Sequence, residues 1–517
     1  MLSLDFQGGP TPGREAPPIY RAIACFFALL ALLLSAQSAT AQNINSSYTQ
    51  FAPVTIPAGG GGTTTVTPPT HSALARAQEG TMATDFCTAS QASGTGDASD
   101  CLQAALNYMC NKTTNGGGLL YIPAGVYNVS KTLSVPCPGI EIVGAGIGAR
   151  RSLNASPPVK GTVIHALVGS DANLPVISAN YAGTEDYGFG FSIRDLEIFN
   201  QPGTRLGAFI ALEHYSVVTI ANVALEGACT GISIKGGNTI NILNSRIDSY
   251  DLAACDGVVM TGRPSQSYRQ LDTVTFDHVV VSVGTGGNCY RATEFVQTVQ
   301  WNNTICETKG RAIKASCDIE TQNNCPGFFT LLDFEVESHE PGGYKIIELT
   351  DLIDGFKMTD SWIRGGSPDF PADNGLYIAP KRFPASATNA ITVTLANNWF
   401  KYAGGPCIYV EASHFSAVGN HIYGCNRFNI GAAGIQLGSS FATVTGNIFC
   451  GDDTLGDIGW TMAAGGMINA GVSYTNWTGN VFSKSVPGPQ NHVNACQAGV
   501  INNSTTANNN TSNNVGP

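Results

Sequence analysis

The chain has 517 residues, only 12% of them charged, and a net charge of −11 at pH 7. That balance excludes the clustered Lys and Arg of a nucleic-acid surface and disfavours unaided binding of a strongly acidic polymer. With 60 glycines, scarce Glu, Lys and Arg, and many β-branched and turn-forming residues, it points to an all-β protein with tight turns.

At the N-terminus, Arg21 precedes an apolar run of 13 residues, Ala22 to Leu34, followed by Ser35 and the small-residue site Ala39-Thr40-Ala41. This reads as a signal peptide over residues 1–41, cleaved to leave Gln42 first. The run is short for a membrane span. The expected location is therefore secreted, extracellular or periplasmic, with no membrane span after cleavage. Cys25 lies in the signal, and the remaining 14 of 15 cysteines suit an exported, disulfide-bonded chain. No CxxC pair suggests zinc. Plausible local bridges are Cys110–Cys137, Cys317–Cys325 and Cys407–Cys425, whereas Cys306 and Cys450, at core-facing positions, could be buried free thiols.

Residues 42–80 hold Gly59-Gly60-Gly61-Gly62, a Thr run and Pro68-Pro69, and read as a flexible linker. Residues 81–485 read as one domain. Residues 486–517 end in an Asn-rich stretch with little apolar character, read as a flexible tail. The domain begins with helical spacing of apolar residues from Asp100, a candidate N-cap, to Met109. Strands follow at Leu119–Ile122, Val126–Val129, Leu133–Val135 and Ile140–Val143.

From Asp195 to Asn480 one pattern recurs: apolar, any, Asn or Asp, any, any, apolar. Its centres are Asp195, Asn222, Asn244, His278, Asn303, Asp333, Asp360, Asn397, Asn420, Asn447 and Asn480, spaced 22 to 37 residues apart. A short strand at such a period is the mark of a solenoid. The predicted fold class is an all-β, single-stranded, right-handed parallel β-helix with an N-terminal capping helix. The strings around Asp100–Cys110, Gly116–Val135 (with Leu119-Leu-Tyr-Ile-Pro-Ala-Gly-Val-Tyr127) and Ile140–Gly146 resemble the first coils of pectate-lyase-superfamily β-helix proteins. That group includes pectate lyases, rhamnogalacturonases, epimerases and phage tailspikes. The resemblance is close over about residues 85–150 and implies the fold more than the chemistry. The polygalacturonase-type motif set is mostly missing, and Gly451-Asp452-Asp453 is read as coincidence. The Arg-x-Pro-x-x-Arg and Asp-Pro-His strings are absent, and Ser338-His339-Glu340-Pro341 is only superficially like the latter. No catalytic residue is carried over from the family.

With the Asn/Asp position set as zero, positions −2 and +3 are mostly apolar and face the core, which sends +2 and +4 outward. Position zero is read as structural, with stacked Asn side chains bonding along the ladder and tolerating a left-handed turn. Column +4 contains Glu307, Glu337, Arg364 and Lys401 on successive coils; column +2 contains Glu335, Trp362 and Trp399. Carboxylates beside exposed indoles are what a sugar site needs. The candidate catalytic residues are Glu307, Glu337 and Arg364, and the candidate substrate-binding residues are Glu335, Trp362, Trp399, Lys401 and His339. Glu307, Glu335 and Glu337 could also hold Ca²⁺, a cation that prefers oxygen ligands. The expected activity is that of a lyase or glycosidase on a polysaccharide lying along this face. The alternatives are a non-catalytic glycan-binding protein and a surface scaffold. Trimeric tailspike relatives leave an oligomer open.

Overall fold

The structure is a computed structural model. It describes residues 54–515 except 59–61, 67–79, 113–116, 149–160, 168–172, 182–186, 201–204, 250–251, 263–269, 318–324, 340–341, 353, 367–370, 380–390, 427–429, 439, 450–460, 463, 483–494, 497–498 and 505–507. The expected signal segment, most of the linker, and Cys450 lie outside the described residues.

Strands pair in parallel with their counterparts one coil on, so three ladders run the length of the domain. The first, here the charged sheet, stacks Val280–Val283, the later halves of Val299–Thr308 and Phe329–Ser338, then Trp362–Arg364, Trp399–Lys401 and His421–Tyr423. The second, the tyrosine sheet, stacks Arg311–Ser316, Lys345–Thr350, Asn374–Ala379, Ile408–Val410 and Ala433–Leu437. The third, the threonine sheet, stacks Gly355–Thr359, Thr392–Ala396, His414–Val418, Ala442–Thr445 and Thr475–Thr478. Inward residues of all three meet in one core. Trp301 stacks on Phe276 at 5.8 Å and meets Tyr290 and Phe329 edge-on, each at 5.5 Å. Burying rings of this size gives the largest apolar return per residue.

The corner between the threonine and charged sheets carries the repeat. Asp195, Asn222, Asn244, His278, Asn303, Asp333, Asp360 and Asn397 all take left-handed backbone angles, with φ from 47° to 59°. Asn and Asp tolerate this region better than most residues, so they hold the corner. The last three centres do not fit that role. There the left-handed residue is Gly419, Gly446 or Gly479, and Asn420, Asn447 and Asn480 lie one place later, fully buried. They align with Asn398, because Trp399 pairs with His421 and Phe400 with Ile422. The sequence columns therefore slip by one in the last three copies. Ile422, Phe449 and Phe482 point into the core rather than outward, and Val418, Thr445 and Thr478 leave the core column to Ala417, Val444 and Trp477.

The two roles expected of one Asn column are thus divided between neighbours. The first residue bends the chain; the second builds a ladder. Asn398, Asn420, Asn447 and Asn480 each accept, on Oδ1, the backbone N–H of the buried corner residue one coil earlier, at 2.9–3.0 Å. Their Nδ2 groups donate to the carbonyls of Met358, Leu395, Ala417 and Val444. Ser361 and Ser245 do the same work earlier, accepting from the N–H of Phe334 and Val223. Buried backbone groups at a sharp turn must find partners, and these side chains provide them.

At the N-terminal end the helix runs Ser99–Lys112 and buries Leu102, Ala105, Leu106 and Met109 in the common core. Asp100 is not its N-cap: the helix starts one residue earlier, Asp97 accepts from the Ser99 N–H at 2.9 Å, and Asp100 pairs with Lys131. Within the expected linker, Val54–Ala58 and Gly62–Val66 form an antiparallel hairpin. The expected tail also contains ordered chain. Val500–Asn502 pairs with Gly466–Ile468, and Asn514 accepts from the Asn480 N–H at 3.0 Å, adding another step to the ladder. Composition suggests disorder because these asparagines are polar, but half-buried Asn509 and Asn514 accept from the N–H groups of Thr475 and Asn480, each at 3.0 Å.

Six disulfides lie among the described residues: Cys87–Cys101, Cys110–Cys137, Cys229–Cys255, Cys289–Cys306, Cys317–Cys325 and Cys407–Cys425. The three bridges suggested by spacing are present, and Cys306 is bonded rather than a free thiol. No described helix is long and apolar enough to cross a membrane.

The division of labour at the corner predicts opposite outcomes for two asparagines. Asn447→Ala orphans the Asn420 N–H and removes a second donor from the Ala417 carbonyl, and should cost about 3 kcal/mol in urea unfolding. Asn397→Gly keeps a residue suited to φ 57° and should change stability by less than about 1 kcal/mol. Equal losses at both positions would refute the assignment.

Candidate functional site

The charged sheet brings most of the expected site residues into two outward rows. Glu307 pairs with Glu337, Glu337 with Arg364, and Arg364 with Lys401. Alongside, Glu335 pairs with Trp362 and Trp362 with Trp399. Successive members of a row are about 4.8 Å apart, and the two rows about 7 Å apart. His339 is not in either row. It is exposed just past the end of its strand, and its backbone N–H donates to the Thr308 carbonyl at 2.7 Å.

The corrected register adds two residues that the sequence columns missed. His421 continues the row of Trp399, and Tyr423 the row of Lys401. The signal was present: Asn397-Asn398 corresponds to Gly419-Asn420, Gly446-Asn447 and Gly479-Asn480. Aligning those dipeptides would have set His421 and Tyr423 outward.

Burial delimits the site along the solenoid. On the earlier coils the same row holds Glu226, Asp248 and Ser282, all buried. From Glu307 onward Glu335, Glu337, Trp362, Arg364, His421 and Tyr423 are half-buried, and Trp399 is 47% exposed. Lys401 is the exception: it is buried, with its ammonium over the rings of Tyr402 at 4.3 Å and Tyr423 at 5.2 Å. Such cation–π contacts hold the ammonium in place. One face of the Trp399 indole is covered by His421, stacked at 4.9 Å and nearly parallel.

The carboxyls differ in their surroundings. Glu307 accepts a hydrogen bond from the Ser282 hydroxyl at 2.6 Å. Burial, then the neighbouring Glu337 and Asp333, push the Glu335 carboxyl above its ordinary value. Arg364 donates Nε–H to the Gly366 carbonyl at 3.3 Å. Among the described residues no group of three or more His, Cys, Asp and Glu is placed to hold a metal ion. Glu307, Glu335 and Glu337 therefore do not assemble the Ca²⁺ set considered from sequence.

The tyrosine sheet carries a second polar cluster that no hexapeptide column could reveal. Arg311 Nε pairs with Glu348 at 2.8 Å, and Lys345 with Glu348 at 3.9 Å. Lys345 Nζ also lies 3.3 Å from the Tyr377 ring centroid, and Tyr377 stacks on Tyr409 at 5.1 Å. With Glu348 buried and both ring faces of Tyr377 covered, this cluster ties coils together and presents little to a ligand.

No family model matches the chain, and no curated protein matches it. Solved structures do. Tailspike protein 3 of bacteriophage CBA120 is 13% identical over 93% of this chain and 68% of its own, with a TM-score of 0.48. The DFA-IIIase of Arthrobacter chlorophenolicus A6, in complex with GF2, is 11% identical over 81% and 96%, with a TM-score of 0.49. ORF18 of Geobacillus virus E2 is 14% identical over 75% of this chain, with a TM-score of 0.34; the chain spans 62% of its length.

The surroundings of Glu335 set a pH dependence. Its folded-state value lies above the ordinary one, so protonation favours the folded chain, and stability falls as pH rises from about 4.3 through the folded value. Glu335→Gln should therefore melt higher than the native chain at neutral pH, with the gap closing as pH falls towards about 4. A variant less stable than the native chain at neutral pH would show that burial does not disfavour this charge.

Proposed function

We propose that the chain is a polysaccharide-active β-helix protein whose charged sheet hydrolyses glycosidic bonds. The observation that carries this reading is the accessible pair of rows, with three carboxyls on two coils next to Trp362 and Trp399 on the next two. Glu335, whose proton is held more tightly than usual, donates it to the glycosidic oxygen as that bond breaks. Glu337, two residues on and about 7 Å away along the strand, takes a proton from the water whose oxygen bonds to the anomeric carbon. A spacing near 6.5–9.5 Å suits inversion. Glu307, bonded to Ser282, orients Glu337 from the coil below. Trp399 offers its open face to a sugar ring, and Arg364 bonds sugar hydroxyls or an acidic substituent. A lyase would need a free base in the same rows; Lys401, packed over two rings, is poorly placed to be one.

The chain is further read as an exported right-handed coil, the hand favoured by twisted parallel strands, closed at its first coil by the helix Ser99–Lys112. Six disulfides support an oxidising destination. N-terminal sequencing of the secreted protein should begin at Gln42; a retained N-terminus would refute signal cleavage.

The activity test is a polysaccharide panel assayed for reducing ends and for the ultraviolet absorbance of an unsaturated product. Reducing ends without absorbance are expected, and Glu335→Gln should lower turnover at least about 100-fold. Unsaturated product would overturn hydrolysis in favour of elimination. Binding without any product would favour a non-catalytic glycan-binding role.

A further inference from the structure

The threonine sheet differs from the other two. The strand Gly355–Thr359 places exposed Lys357 at the head of the central column, beside Thr394; beyond it, on the four strands from Thr392 to Thr478, no outward position holds Asp, Glu, Lys or Arg, and His414 is the one titratable group. Every register across these strands is continuous, with no bulge. One central column runs Thr394, Ser416, Thr443 and Asn476, so hydroxyls and an amide repeat at about 4.8 Å. The lateral contacts are already made: Thr445 and Thr478 hydroxyls are 3.4 Å apart, and Asn510 Nδ2 donates to Asn476 Oδ1 at 2.9 Å. These bonds hold Thr445, Thr478 and Asn476 before any ligand arrives.

A second observation is independent of the first. Along one edge of the same face, His414, Phe441 and Tyr474 stack at 5.6 and 5.1 Å. Phe441 is 55% and Tyr474 53% exposed, and both have φ of 59°. A bulky side chain in the left-handed region is a backbone outlier. Glycine would sit there without strain, as it does at Gly419, Gly446 and Gly479. The same corner is left-handed at Val217, Thr239, Thr273 and Thr298 on earlier coils, so the turn sets this backbone; what is particular to the late coils is that it carries two large rings into water.

We propose that this sheet is an adsorption face for an insoluble, uncharged polysaccharide. The absence of charge sets the complement: a surface of hydroxyls and C–H groups rather than an ionic polymer. A regular repeat of about 4.8 Å matches a solid that has its own repeat, whereas a folded protein partner would need pockets and anchors. The exposed ring edges widen the apolar contact at one side. Adsorption here is separate from the charged sheet and holds whether or not that sheet turns over substrate.

The test is pelleting of the full mature chain with microcrystalline cellulose and with chitin particles, at low and high salt. The chain should leave the supernatant with at least one of the two, and salt should not release it. Thr394→Lys with Thr443→Lys should lower the partition coefficient at least about tenfold, because each ammonium would be desolvated against a neutral solid. Phe441→Gly with Tyr474→Gly, which relieves the backbone and keeps the fold, should weaken adsorption as well. Glu337→Gln should adsorb like the native chain. No adsorption to either solid, release by salt, or native adsorption by the folded double-lysine variant would each overturn the proposal. So would a dimer in sedimentation that Thr443→Lys splits, since the face would then serve a second copy.

Discussion

A parallel solenoid must turn the chain in the same place on every coil, and at that place backbone donors point into a core with no water. The molecule meets this constraint with two adjacent residues. One accepts a left-handed backbone, and the next places a small polar side chain under the corner of the coil before it. Asn397 and Asn398 show the arrangement in full, and Gly419 with Asn420 show that the first role needs only tolerance while the second needs specific atoms. Once the corners are fixed, strand registers follow, and with them the rows of outward side chains on which any function depends.

Much of this is legible in the sequence. The apolar spacing around each Asn or Asp, and the strings near Leu119 and Val126, announce stacked coils. The rows Glu307–Glu337–Arg364–Lys401 and Glu335–Trp362–Trp399 emerge from counting alone, because alternation in a strand is strict. The failures are equally specific. A single Asn column conflates two roles: Asn420 matches Asn397 by motif but Asn398 by register, and that one-residue slip hides the outward positions of His421 and Tyr423. The asparagines near the C-terminus read as disordered because composition cannot distinguish a solvated Asn from one buried beneath a turn. The exposure of the rows was illegible too. Nothing local in the sequence says that Asp248 and Ser282 are covered while Glu337 is open.

The three sheets use the same backbone for different surfaces. The charged sheet leaves a short window of carboxyls and indoles accessible. The tyrosine sheet spends its charges on itself, through Arg311, Lys345 and Glu348. The threonine sheet carries almost no charge. A solenoid makes such separation straightforward, since each outward column belongs to one sheet and can change without disturbing the inward residues of the other two.

The asparagine ladder also has a direction. Each Oδ1 accepts from the coil before it, so the corners at Ser361, Asn398, Asn420, Asn447 and Asn480 are each completed by the coil that follows. The stack therefore has a polarity, like a zipper. Shortening the chain from its C-terminus exposes the donor of the previous corner, and each loss weakens the next coil in line. Asn509 and Asn514, which look like dispensable ballast, act as a clasp for the coil before them.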